Sequence, residues 1–157
     1  MLLTMTPLDK LHRQLTTLAL ATSRRFQRML DVRLGDFDVT SSTVVPMLLV
    51  GRSGGGINQV TLAEQIGVTG PSLVRTLDKL VELGLVRRES DPADRRAKTL
   101  WLTDAGEALA VQMEARMVDM RREILAGVSE DDVRAALRVH EALNAALVFD
   151  GQDDAGT

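Results

Sequence analysis

Cysteine is absent from the 157-residue chain. Without a thiol there is no disulfide scaffold, thiolate zinc site, iron–sulfur cluster, cysteine nucleophile or redox sensor. Histidine is nearly as scarce: His12 and His140 are the only two, too few for a histidine-rich metal site. No run of about 18 apolar residues occurs, so no membrane-spanning helix is expected. The opening MLLTMTPLDK has an acid and a proline where a secretory signal needs a basic end and an apolar stretch, and a cytoplasmic location is the expectation. A surplus of positive charge is missing too, since the formal net charge is -3, which at first sight opposes binding to a polyanion.

The charge is unevenly spread. Residues 1–68 carry 7 basic and 5 acidic side chains, residues 69–98 again 7 and 5, and residues 99–157 carry 5 and 12. A mildly basic middle therefore precedes an acidic C-terminal third. With 45% hydrophobic and 26% charged residues, disorder along the whole chain is excluded, and the length suits one domain carrying long accessory helices better than two full domains.

Hydrophobic periodicity predicts a long first helix from Leu8 to about Leu30, with Leu8, Leu11, Leu15, Leu18, Phe26 and Met29 on one narrow face suited to a helical interface. Thr40 or a neighbouring serine caps a second helix through VVPMLLVGR, where Pro46 predicts a bend or a shortened helix. The glycines of GRSGGGINQ invite a phosphate-loop reading, but no Gly-Lys-Ser/Thr follows, no strand precedes and no helix start is evident directly after, so the stretch reads as a connector. Thr61 and Glu64 in TLAE match a capping box and predict a short helix from Leu62 to Gly67. Thr69 then caps a helix with Pro71 in its first turn and Gly84 past its end. Leu73, Leu77, Leu80 and, at its edge, Val81 form the buried stripe of that helix; Ser72, Arg75, Thr76 and Lys79 face away.

LVRRES and AKTLWLT read as a β-hairpin around the turn-forming DPADRR, with Trp101 anchoring it. Thr103 caps a long helix to about Leu125 with Leu109, Met113, Met117, Met120 and Ile124 on one face, a packing stripe and not a cofactor box. Ser129, with Asp132 as its partner, starts a last helix whose stripe is Val133, Leu137, His140, Asn144 and Leu147. The expected fold class is mainly α with a small β-hairpin, a winged helix-turn-helix between long terminal helices. The domain boundaries are 1–34 for an N-terminal dimerisation helix, 35–102 for the winged helix-turn-helix, 103–148 for C-terminal dimerisation helices and 149–157 for a flexible tail.

Two short helices around a tight turn, followed by a basic hairpin, suit the DNA major groove. Arg75 can form two hydrogen bonds to a guanine edge, Ser72 and Thr76 can meet base edges or phosphates, and Lys79 faces the backbone. Thr69 at the start of the helix and Lys98 on the hairpin complete the candidate contacts. Arg95 and Arg96 at the hairpin tip can reach an adjacent minor groove, with Asp94 orienting an arginine by a charge-assisted bond. Read blandly, two cations, the acid Asp78 and two hydroxyls make an ordinary solvated face. The residues supply no nucleophile with a base, no paired carboxylates and no phosphate loop, so no enzyme and no cofactor is expected. The rival readings are a nonspecific nucleoid or architectural DNA binder and a winged-helix module for protein contacts.

The stretch TLAEQIGVTGPSLVRTLDKLVELGLVRRESDPADRRAKTLWLTDAGEAL resembles the MarR family of bacterial transcription regulators, and PSLVRTLD, DRRAK and REILAGVSEDD resemble its SlyA branch. The resemblance implies that Arg96 enters the minor groove while Asp94 holds it. It further implies a homodimer built from the first and last helices, on a pseudo-palindromic operator with recognition helices about 34 Å apart. Relatives responding to small aromatic carboxylates or phenols imply such an effector here, with His12 and Arg13 as candidate ligand contacts or else as interface or solvent-facing residues. Thiol sensing is excluded by the missing cysteine, and two isolated histidines disfavour metal sensing.

Overall fold

The structure is a computed structural model that describes residues 5–37, 39–91 and 97–147. The chain divides into two compact units, Met1–Arg116 and Met117–Thr157.

The first unit opens with helix α1, Pro7–Arg33. Thr6 caps it: its hydroxyl accepts from the Asp9 N–H at 3.1 Å, and its own N–H donates to the Asp9 carboxylate at 2.9 Å. Both groups would otherwise lack partners at a helix start. Leu30 is the buried residue of α1, and Leu8, Leu11, Leu15 and Leu18 are exposed.

Helix α2, Ser41–Arg52, starts at Thr40, whose N–H donates to Thr43 Oγ1 at 3.0 Å; Asp31 of α1 accepts from the Ser41 N–H at 2.6 Å. The helix runs unbroken through Pro46, so the proline does not end or shorten it. Its missing N–H leaves one intrahelical bond unmade. The ring is itself buried, together with Val44, Met47, Leu48 and Val50, and that apolar burial offsets the lost bond.

The glycine segment is more than a connector. Gly56 donates its N–H to the Leu100 carbonyl at 2.9 Å, and Ile57–Asn58 forms strand β1. Helix α3, Gln59–Ile66, follows directly, capped by Asn58, whose Oδ1 accepts from the Thr61 N–H at 2.8 Å. The cap is thus Asn58 and not Thr61, and the helix begins before Leu62. Pairing of β1 holds Asn58 extended, the backbone conformation an N-cap requires. Gly55, with φ of 86°, lies against Trp101, and a Cβ there would overlap the indole ring.

Helix α4, Gly70–Glu82, leads into β2, Val86–Ser90, and β3, Lys98–Leu102. The antiparallel sheet has the order β1-β3-β2, so the expected hairpin is extended to three strands. Arg88 stands opposite Leu100 and Arg87 opposite Trp101. Leu62, Leu73, Leu77, Leu80, Val86 and Leu100 are buried with the α2 residues in one core. Each fully buried leucine contributes about 1.5–3 kcal/mol. Val81, placed at the edge of the α4 stripe by periodicity, is 40% exposed and stays outside that core.

Helix α5, Asp104–Ile124, spans the boundary between the units. Thr103 starts it by donating to the Gly84 carbonyl at 2.6 Å and accepting from the Gly106 N–H at 3.0 Å. In the second unit Met117 and Met120 are buried, whereas Ile124 is exposed. Helix α6, Glu130–Ala146, is capped by Ser129, which accepts from the Asp132 N–H at 3.2 Å. Three acids in its first turn complement the helix dipole. Leu137, His140, Asn144 and Leu147 of the expected α6 stripe are all exposed, and Val133 is half-buried. The segment 149–157 lies outside the described residues.

Candidate nucleic-acid interface

The turn between α3 and α4 is made by Gly67, with φ of 74°, and the Val68 N–H closes onto the Ala63 carbonyl at 3.1 Å. Ala63 is buried there, small enough for the two helices to approach. Thr69 caps α4 through its backbone: its carbonyl accepts from the Leu73 N–H at 3.1 Å, and no bond from its side chain serves as a cap. Leu73, Leu77 and Leu80 fasten one face of α4 to the core. Helical spacing then fixes the other face, where Thr69, Ser72, Arg75 and Lys79 are exposed and Thr76 is half-buried.

Among the described residues no ion pair engages Arg75, so its guanidinium keeps its donors for an outside acceptor. Lys79 donates to Glu82 at 3.0 Å, a solvated pair of little strength. Arg75, Thr76 and Lys79 also line a cleft of about 300 Å³ whose opposite wall is the start of α2, with Thr40, Ser42 and Thr43. These α2 hydroxyls were not among the residues expected from sequence. No local signal could have found them, because only tertiary packing sets the α2 start beside α4.

On the wing, Lys98 is exposed and donates to Ser90 Oγ at 2.9 Å across the β2–β3 pair. The Asp91 N–H bonds the Ala97 carbonyl at 3.1 Å, closing the ladder below the tip. The tip candidates Asp94, Arg95 and Arg96 lie outside the described residues.

His12 and Arg13 are exposed on α1 and line neither cavity. A larger cavity of about 750 Å³ lies among the end of α2, the glycine segment, β2, β3 and the first unit's part of α5. Leu48, Val50, Trp101, Leu102, Ala110 and Val111 give it apolar walls, with Arg52, Arg87, Glu107 and Glu114 as charged lining. Arg52 donates to Glu114 at 2.6 Å, which raises the guanidinium's pKa further above its ordinary value. Arg87 stacks over the Trp101 ring at 5.5 Å. Among the described residues no cluster of His, Cys, Asp and Glu is arranged to hold a metal, and no helix is long and apolar enough to cross a membrane.

Residues 39–97 match the family model described as MarR family. Among solved structures, the transcriptional regulator PA3341 is 34% identical, covering 85% of this chain and 97% of its own, with a TM-score of 0.76. A mutant MarR from E. coli complexed with operator DNA is 25% identical, covering 88% and 99%, with a TM-score of 0.73. The transcriptional regulator SlyA, at 18% identity, 87% and 95% coverage and a TM-score of 0.74, shares the fold. The family model covers the helix-turn-helix and β2, and the 34% identical regulator covers most of the chain with the same fold: the chain belongs to the MarR family.

Proposed function

We propose that this chain is a DNA-binding transcriptional regulator that acts as a homodimer on a pseudo-palindromic operator. The observation that carries the reading is α4: three leucines lock one face into the core, and the opposite face presents Ser72, Arg75 and Lys79 to solvent. A helix held this way enters a major groove with its polar side chains forward. Thr69, Thr76 and Lys98 join them as backbone or base-edge contacts, and Asp94, Arg95 and Arg96 are proposed for the minor groove. The E. coli relative complexed with operator DNA supports DNA as the partner.

Dimerisation is assigned to residues 1–34 and 103–148, flanking a DNA-binding domain at 35–102. The exposed leucines of α1 and α6 support this, because apolar side chains in register on a helix face gain free energy when a second copy covers them. The 750 Å³ cavity has the size and apolar lining of a small-molecule site. We assign it to a small aromatic acid or phenol that releases the operator by favouring the spacing of reading heads that DNA does not fit. Membership of the SlyA-like branch and a cytoplasmic location belong to the same proposal, as does the absence of catalysis.

Selection of bound sequences from a random duplex pool tests the reading, followed by anisotropy titrations of the winner and a scrambled duplex at two salt concentrations. An inverted repeat bound about a thousandfold tighter than the scramble is the expected result. Equal, steeply salt-dependent binding of both duplexes would make the chain a nonspecific architectural binder instead.

A further inference from the structure

Asp78 is out of place on a surface meant for phosphates. It follows Arg75 by one helical turn and directly precedes Lys79, and it is more than half exposed. A bare carboxylate there would repel the DNA backbone that its two neighbours attract.

It is not bare. Arg88 of β2 reaches across to α4 and donates from Nη1 to Asp78 Oδ1 at 2.6 Å. The two arginines of β2 alternate: Arg87 lies over Trp101, while Arg88 projects to the other side and meets the helix. Arg88 is the more enclosed partner, 29% exposed against 56% for Asp78, and its Nη2 is buried without a hydrogen-bond partner. With its Nη2 buried, Arg88 has no free nitrogen on that side to reach a phosphate.

We propose that Arg88 is a positioning residue for DNA binding that acts through Asp78. It neutralises the acid next to Arg75 and Lys79 and ties the strand leading to the wing tip to the recognition helix. Arg88 thereby fixes how helix and wing are presented together, without touching DNA. The proposal rests on the DNA-binding reading given above.

A double-mutant cycle on operator affinity tests it, with the full chain, the selected operator and a scrambled duplex at two salt concentrations. Arg88→Met is expected to weaken operator binding about tenfold when Asp78 is present, and by no more than about twofold when Asp78 is already Asn, a coupling of the size seen between contacting residues. With Asp78 already Asn, the salt slope should not change. A direct phosphate contact would instead give equal losses in both backgrounds and a slope smaller by about one, and that result overturns the proposal. Unaltered operator binding by Arg88→Met overturns it as well. Should Arg88→Met fail to fold by circular dichroism, Arg88→Lys in the same two backgrounds carries the cycle, with a smaller loss that again disappears beside Asp78→Asn. If the native chain binds no duplex at all, the DNA reading falls and this proposal with it; if the native chain binds and the cycle shows no coupling, this proposal alone falls.

Discussion

Arg75 is exposed, has no ion pair among the described residues and extends from a helix whose inner face is fixed. Its contribution is therefore expected in base readout: Arg75→Ala should cost about 1–3 kcal/mol at one operator position and relax the preference there. Competition titrations against single-base operator variants measure this, and a loss spread evenly over all sequences would refute it. Lys79→Ala differs in kind, with weaker binding to every duplex and a salt slope reduced by about one. At the other end of the first unit, Thr6 donates side-chain and backbone hydrogen bonds to Asp9 and holds its carboxyl below the ordinary aspartate range. The stabilisation is full above the unfolded value, near 3.9, and is lost as pH falls through the lower folded value. Carboxyl titration by NMR should show a depressed Asp9 midpoint that moves back up in Thr6→Ala.

The helices were legible in sequence where a periodic stripe and its terminators agreed, as in α4 between Thr69 and Gly84 and α6 after Ser129. They were misread where a local signal matched two solutions. TLAE satisfies a capping box on paper, yet Asn58 takes the cap because β1, paired with β3, delivers it in extended conformation. Asn58→Ala should accordingly cost about 0.5–2 kcal/mol by denaturant unfolding, and Thr61→Ala a clearly smaller amount. Equal costs would return the helix start to Thr61. The seat of α5 is defined as tightly: a Cβ on Gly106 would collide with the Leu85 carbonyl, which is backbone and cannot rotate away. Gly106→Ala should destabilise the fold by about 1–3 kcal/mol, the usual cost of overpacking, and an unchanged melting midpoint would show that α5 shifts freely.

Leu11 and Leu15 of α1, Leu137 of α6 and Leu147 at the C-cap of α6 are exposed. A chain carrying so many uncovered leucines gains by association, and the dimer proposed here covers them. Leu11→Glu combined with Leu15→Glu is expected to give a monomer in sedimentation experiments and to remove most operator affinity, since two half-sites then bind independently. A variant that remains dimeric would move the interface elsewhere. The acidity of residues 99–157, 12 acids against 5 bases, fits the proposed specificity: net negative charge disfavours nonspecific contact with a polyanion. Replacing acids of α6 by lysine should tighten binding to scrambled duplex more than to operator.

Periodicity, caps and turn formers in the sequence were enough to specify the helix-turn-helix, the hairpin strands and the polar face of α4. These are local features, fixed by which side chains repeat every three or four residues and which residues start or stop a helix. Local rules did not reach the contacts made across the chain: β1 and its Asn58 cap, the α2 hydroxyls beside Arg75, the cavity under Trp101 and the Arg88–Asp78 pair. The β1–β3 pairing that holds Asn58 extended for its cap, the α2 hydroxyls, the cavity and the Arg88–Asp78 pair each need residues from different elements to be brought together, and that proximity follows from packing the core. Asp78 shows the difference most clearly. In the sequence it is one more acid on a solvated helix, and the fold makes it the anchor of a wing arginine.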